Sequence, residues 1–136
     1  IRLPGVVGFG SESSGNFISM ITKKIILGKR IEVSNKLSYF NNIIFVDDLA
    51  KFVMKIVNTK KLKYGFINIA SNKKIKIVDV VKFIYFRLNT KENVKWIKTE
   101  NKPFCIDFSN ALKCGYKPVS VKKSLINFTN DHLKRL

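Results

Sequence analysis

Apolar residues recur along the chain with two periods, and the switches between them mark the elements. Ile1–Val7 is an apolar run read as a strand, followed by Gly8, Gly10 and Gly15 in a flexible loop. Phe17, Ile18, Ile21 and Ile25 then fall at near-helical spacing. Ser14 or Asn16 is available as the N-cap and Gly28 as the stop, which predicts a helix of about three turns. Arg30–Ser34 alternates and puts Ile31 and Val33 on one side of a short strand. Ile43–Val46 is a second short strand, apolar throughout.

Asp47 and Asp48 open the next helix, in which Leu49, Phe52, Val53, Ile56 and Val57 form one continuous stripe. The two aspartates sit where the helix dipole favours negative charge, and Lys60, Lys61 and Lys63 sit at the opposite end. Tyr64-Gly65 turns into a strand over Phe66–Ala70, and Ser71–Lys76 reads as a polar loop. Val78, Val81, Phe83, Ile84 and Leu88 predict a helix, and Val94–Ile97 a strand. Ser109 is the expected cap of a short helix through Lys113 that stops at Gly115, with Pro118 beyond. Ser120 caps the last helix, with Val121, Leu125 and Phe128 turned inward. Strands alternating with helices predict an α/β protein with parallel pairing, and no linker or repeat divides it.

Composition narrows the picture. At 136 residues the chain suffices for one domain with a modest core. An apolar content of 46% with 7 Gly and 3 Pro excludes disordered and low-complexity classes. No apolar stretch approaches a membrane span, and no signal segment opens the chain. Two cysteines, Cys105 and Cys114, make a disulfide framework a poor reading and a reducing, cytoplasmic setting the default. The chain opens on an apolar run instead of Met, as expected of a piece of a longer protein.

The formal net charge of +17 raises the question of an anionic partner. Lysine supplies 22 of the 26 basic residues and arginine 4, whereas nucleic-acid readers lean on arginine for bidentate contacts. Ile (17) and Asn (13) are also abundant, and Ile, Lys and Asn all have A/T-rich codons. The profile therefore reads as base composition and a solvated surface before it reads as a nucleic-acid interface.

Candidate chemistry is sparse. Neither G-x-G-x-x-G nor G-x-x-x-x-G-K-[ST] occurs. His132 is the only histidine, and it has no metal-ligand spacing to Cys105 or Cys114. Asp47-Asp48 can be an acid–base pair, but helix capping explains it better. The loop Ser11–Asn16 ahead of the first helix is a candidate anion seat, with Lys23, Lys24, Lys29 and Arg30 near in sequence.

Five segments together carry a resemblance. Ile1–Gly8 resembles the sixth Rossmann strand of extended short-chain dehydrogenases/reductases, and Gly15-Asn16-Phe17-Ile18 the segment after it. Asn41-Asn42-Ile43-Ile44-Phe45-Val46-Asp47-Asp48-Leu49-Ala50 resembles the family's hydrophobic-V-D-D-L-A block. Phe66–Ser71 resembles its later N-I-A/G-S strand, and Asp107 to Pro118 its closing D-x-S-K-A-x-x-L-G-Y/W-x-P motif. All five occur in the family's order and cover nearly the whole chain. The likeness is to the C-terminal half of the sugar-nucleotide, NAD-dependent epimerase/dehydratase type. It implies the last strands of a Rossmann-like sheet plus the small α/β substrate-binding domain, with the N-terminal half missing.

The resemblance also implies roles. Leu3, Pro4 and Gly5 would border the nicotinamide and the sugar. Asn16 and Phe17 would contact the nucleoside diphosphate, and the strand carrying Arg30 and Val33 would flank the nucleobase. Asn41 stands where epimerases place a phosphate-gripping Arg, and Lys102 is the nearest candidate for a second basic contact. Gly5 stands where many relatives have Asn. The variants look most like bacterial reductases and epimerases of surface-polysaccharide pathways. The family's Tyr-x-x-x-Lys pair is absent: none of Tyr39, Tyr64, Tyr85 and Tyr116 has Lys four residues on. The chain alone is therefore expected to bind a nucleotide-sugar without catalysis. It would hold NAD or NADP only as part of a whole enzyme, for which the resemblance allows a homodimer. Unpaired strand edges predict poor solubility, swapping, or assembly with a separately supplied N-terminal half. The competing readings are a basic nucleic-acid-binding domain and a non-catalytic sugar-nucleotide scaffold.

Overall fold

Ile43, Ile44 and Phe45 leave almost no surface to solvent, as befits a strand covered on both faces. The computed structural model describes residues 1–59 and 64–134 and places this strand, β4 (Ile43–Phe45), parallel to β1 (Gly5–Val7). The register pairs Gly5 with Ile43, Val6 with Ile44 and Val7 with Phe45. Successive side chains of a strand point to opposite faces, and here they enter two separate cores. Ile43, Phe45 and Val7 join one cluster, whereas Ile44 joins the other with Val6 packed against it.

The helices complete the layers. The first core is closed by α1 (Phe17–Ile26) through Ile18, Ile21 and Ile25, and by α3 (Ile77–Arg87) through Val80, Val81 and Ile84. The last helix, α5 (Val121–Leu133), adds Val121, Leu125 and Phe128. On the other face lie Phe52 of α2 (Val46–Val57), Ala111 of α4 (Ser109–Lys113), Ile67, Ile69 and Tyr116. Two further pairings flank the first core. Strands β2 (Ile31–Val33) and β6 (Val94–Trp96) run parallel, and β3 (Tyr39–Phe40) and β5 (Ile75–Lys76) run antiparallel. The molecule is thus a small α/β fold with short parallel sheets.

Several expected elements are shifted. Phe66–Ala70 is extended but makes a single bridge, Asn68 to Arg2. Arg2 N donates to Ile67 O (2.8 Å) and Ile69 N to Arg2 O (3.2 Å). The next rung would need an N–H from Pro4, which has none, so the ladder stops. Ser71 N turns instead to Ile43 O at 3.0 Å. The strands β3 and β5 are too short for a period to show, and β5 lies inside the segment read as a loop. Helix α2 begins at Val46, one residue before the aspartates, because β4 runs straight into it. Ser109 is the first residue of α4 and not its cap: its N–H and hydroxyl both donate to Asp107 Oδ1. Those two hydrogen bonds hold the exposed Asp107 carboxyl below its ordinary value. Lys60, Lys61 and Lys63 lie outside the described residues. No helix among the described residues is long and apolar enough to cross a membrane.

Tyr116 anchors the second core. Its ring lies 4.9 Å from Phe52 and 6.3 Å from Phe108, centroid to centroid, and its hydroxyl donates to Ala70 O at 3.0 Å. Burial, then the nearby Asp48 charge, pushes its pKa up from 10.0 to about 12. A raised folded-state pKa contributes stability that is complete below pH 10 and is lost as pH climbs towards 12. Tyr116→Phe should cost about 1 kcal/mol at neutral pH through the lost hydrogen bond. Denaturant midpoints measured from neutral to alkaline pH should show the gap between wild type and variant closing above pH 10.

Candidate functional site

The first turn of α1 is where the fold brings candidate residues together. Asn16, in extended conformation, accepts from Ser19 N at 3.0 Å through Oδ1 and so caps the helix. Its Nδ2 donates to Val6 O (3.0 Å) and to the Ser14 hydroxyl. One side chain therefore joins β1 to α1. Gly5 makes that approach possible: a Cβ there would lie 3.4 Å from Asn16 Cβ and 3.1 Å from Asn42 O. Gly5 N also donates to Asn42 Oδ1 at 3.1 Å.

Beside this junction opens a cleft of about 300 Å³. Phe17 and Phe40 form one wall, packed edge to face with ring centroids 5.7 Å apart. Val33, the last residue of β2, and Ile97, just past β6, also line it, with Ile97 N donating to Val33 O at 2.9 Å. Lys102, Pro103 and Phe104 line it from an irregular segment between β6 and α4. Tyr39 also lines the cleft, with Lys74 Nζ 5.2 Å from its ring centroid. Glu32, Ser34 and Asn42 supply the remaining polar groups. Glu32 pairs with Lys95 at 3.1 Å, both half exposed. Lys102 is the only lysine or arginine among the described lining residues. The arrangement, apolar and aromatic walls with a few polar groups and one cation, suits a planar ring carrying a negative tail.

Of the residues picked from sequence, Phe17, Val33 and Lys102 line this cleft together. Asn16 adjoins it in sequence, with its amide spent on the cap and on Val6 O. Asn41 is buried beside the cleft, and its amide bonds the backbone of Ile106. Arg30 is exposed on the turn before β2 and is not among the lining residues. Leu3 is exposed, Pro4 buried and Gly5 half-buried at the start of β1, outside the cleft. Of the lysines near the candidate anion seat, Lys24 lines a second small cleft with Gly15 and Phe17. Lys23 and Lys24 occupy the last turn of α1, roughly 10 Å along the axis from its N-terminus. Asp47 and Asp48 lie in the first turn of α2, with Asp48 3.6 Å from Lys51. Sequence reasoning passed over Tyr39, Phe40 and Phe104. They sit outside any long periodic run, and only an aromatic in an otherwise polar loop marked them.

No protein-family model matches the chain. An uncharacterized protein of Methanocaldococcus jannaschii is 26% identical over 117 residues, covering 82% of this chain and 36% of that one. Among solved structures, UDP-glucuronic acid 4-epimerase from Bacillus cereus, in complex with UDP-glucuronic acid and NAD, superposes with a TM-score of 0.78. It is 19% identical, over 99% of this chain and 45% of its own. The fold is that of part of a Rossmann-like protein, as in that structure. UDP-N-acetylglucosamine 4-epimerase from Methanobrevibacter ruminantium, in complex with UDP-N-acetylmuramic acid, gives a TM-score of 0.76 at 20% identity over 99% of this chain and 46% of its own. The NAD complex of dTDP-glucose 4,6-dehydratase from Bacillus anthracis gives 0.75 at 14% identity over 98% and 44%. The chain spans less than half the length of each of these proteins.

The Asn16 junction is testable by itself. Asn16→Ala should lower stability by about 1–2 kcal/mol, since it uncaps α1 and removes a donor from Val6 O. Asn16→Asp keeps the acceptor for Ser19 N and should recover about half of that loss in urea denaturation.

Proposed function

We propose that this chain is the substrate-binding part of an NAD(P)-dependent nucleotide-sugar epimerase, dehydratase or reductase, and that the cleft holds the nucleoside diphosphate. The observation that carries this reading is the meeting of Phe17, Val33 and Lys102 around one aromatic-walled cleft. It is supported by the likeness of the fold to enzymes solved with UDP-sugars. The base would lie between the aromatic walls, a contact worth about 1 kcal/mol or more beyond the area buried. Glu32 and Ser34 offer acceptors for base or ribose donors. Lys102 would carry the diphosphate charge.

The residues present do not make a dinucleotide site. The helix N-terminus beside β1, that of α1, is filled by the Asn16 side chain, and no glycine-rich turn of dinucleotide spacing precedes it. The hydride chemistry would be supplied by NAD(P) held in the rest of the whole enzyme. In this reading Leu3–Gly5 contribute only an edge to that chemistry. The acid–base groups belong to the rest of the protein, which would cover Ile1, Leu3 and Phe66, each about half exposed, and the apolar outer positions Met54 and Val57 of α2.

Titration of the chain with UDP by calorimetry tests the reading. UDP should bind measurably and uridine much more weakly. Lys102→Ala should weaken UDP by about tenfold, the loss of one charge-assisted contact at an exposed position. Equal binding of UDP and uridine, or no change on removing Lys102, would contradict the assignment.

A further inference from the structure

Asn41 occupies a position where the resemblance implies a phosphate contact, yet its side chain is used elsewhere. It is 5% exposed, between Phe40 and Asn42, both of which line the cleft. Its Nδ2 donates to Ile106 O and its Oδ1 accepts from Ile106 N, both at 2.8 Å. The two bonds imitate a rung of strand pairing between a side chain and a backbone 65 positions away. The backbone of Asn41 is itself fixed: its carbonyl accepts from Ile43 N (2.8 Å) and Ser71 N (3.3 Å).

The segment held this way has little else to hold it. Every residue from Lys98 to Cys105 is exposed, and none belongs to a helix or strand. Its other side-chain ties, and that of Asn68 Nδ2 to Asp107 O (3.3 Å) directly after it, are longer and lie at the surface. Asn35 Nδ2 reaches Asn101 O at 3.3 Å, and Cys105 Sγ reaches Tyr39 O at 3.4 Å. Lys102, Pro103 and Phe104, which line the cleft, lie on this segment. An exposed segment of this length would sample many conformations unless pinned near its end.

We propose that Asn41 is a positioning residue, whose amide pins the segment 98–106 across the cleft and so holds Lys102 where a bound diphosphate meets it. The pinning stands on the geometry alone, whereas the effect on the ligand rests on the proposed nucleoside diphosphate site. A neutral amide thus works through a cation carried by another segment.

Two measurements on the full chain, in a Cys114→Ser background, separate the claims. Amide hydrogen exchange at Ile106 and the alkylation rate of Cys105 report on the segment without any ligand. In Asn41→Ala both should rise about tenfold, while exchange at Ile43–Phe45 changes by less than about twofold. Asn41→Asp is the milder variant should Asn41→Ala fail to fold. It keeps the acceptor for Ile106 N but sets a carboxylate against Ile106 O. Its excess over wild type, taken as a ratio at each pH, should shrink in acid, where the protonated carboxyl can donate again.

For the ligand, UDP affinity should fall about tenfold in Asn41→Ala, and the double variant with Lys102→Ala should be little weaker than either single one. Unchanged exchange at Ile106 would overturn the pinning. Unchanged or strictly additive UDP affinities would overturn the link to Lys102. Absence of UDP binding by the wild type would remove the cleft assignment and the positioning role with it, and the exchange data would still decide the pinning.

Discussion

The parallel pairing of β1 with β4 is the constraint on which the rest of the structure depends. The two strands are only three residues long each, yet they divide the interior into two cores. A slip of one residue would exchange the faces of Ile43, Ile44 and Phe45 and place each in the wrong cluster. Full burial of an aliphatic side chain contributes about 1.5–3 kcal/mol, so such an exchange would be prohibitive. The same register brings Gly5 under Asn42 and Val6 O to Asn16. The cleft therefore inherits its geometry from the sheet, in part through Gly5, Val6 and Asn16, which do not themselves line it.

Much of the fold was legible because long periodic runs carry their own assignment. The helices at Phe17–Ile26, Ile77–Arg87 and Val121–Leu133 follow their apolar stripes, and Asn16 and Ser120 cap where capping chemistry places them. Elements of two residues do not announce themselves, whereas the three-residue strands at Ile31–Val33, Ile43–Phe45 and Val94–Trp96 do. Tyr39–Phe40 and Ile75–Lys76 become strands only because each finds the other, which no local pattern encodes. The interruption at Asn68 is encoded, by Pro4, but on the neighbouring strand. A reading of Phe66–Ala70 in isolation had no access to it.

The site divides along the same line. Phe17 and Val33 belong to regular elements, and Lys102 was singled out only through the resemblance; the structure sets all three around one cleft. Tyr39 and Phe104 were passed over because single aromatics in short or irregular segments have no periodicity to betray their direction. Asn41 is the instructive case. Two adjacent asparagines ahead of an apolar strand look alike in sequence, and the fold gives them different work. Asn42 faces Gly5 N and the cleft, whereas Asn41 turns inward to a backbone supplied from the far side of the chain.

Because the Asn41 contact with Ile106 is an exchange of neutral amide bonds in a buried setting, dissolved ions have almost no purchase on it. The ammonium of Lys102 stands in the open, where counterions at physiological ionic strength screen charges beyond about 8 Å. In the proposed site, the scaffold of the cleft and its attraction for an anionic guest thus answer to different variables. Salt can tune how strongly a charged guest is drawn in while leaving the shape that receives it untouched.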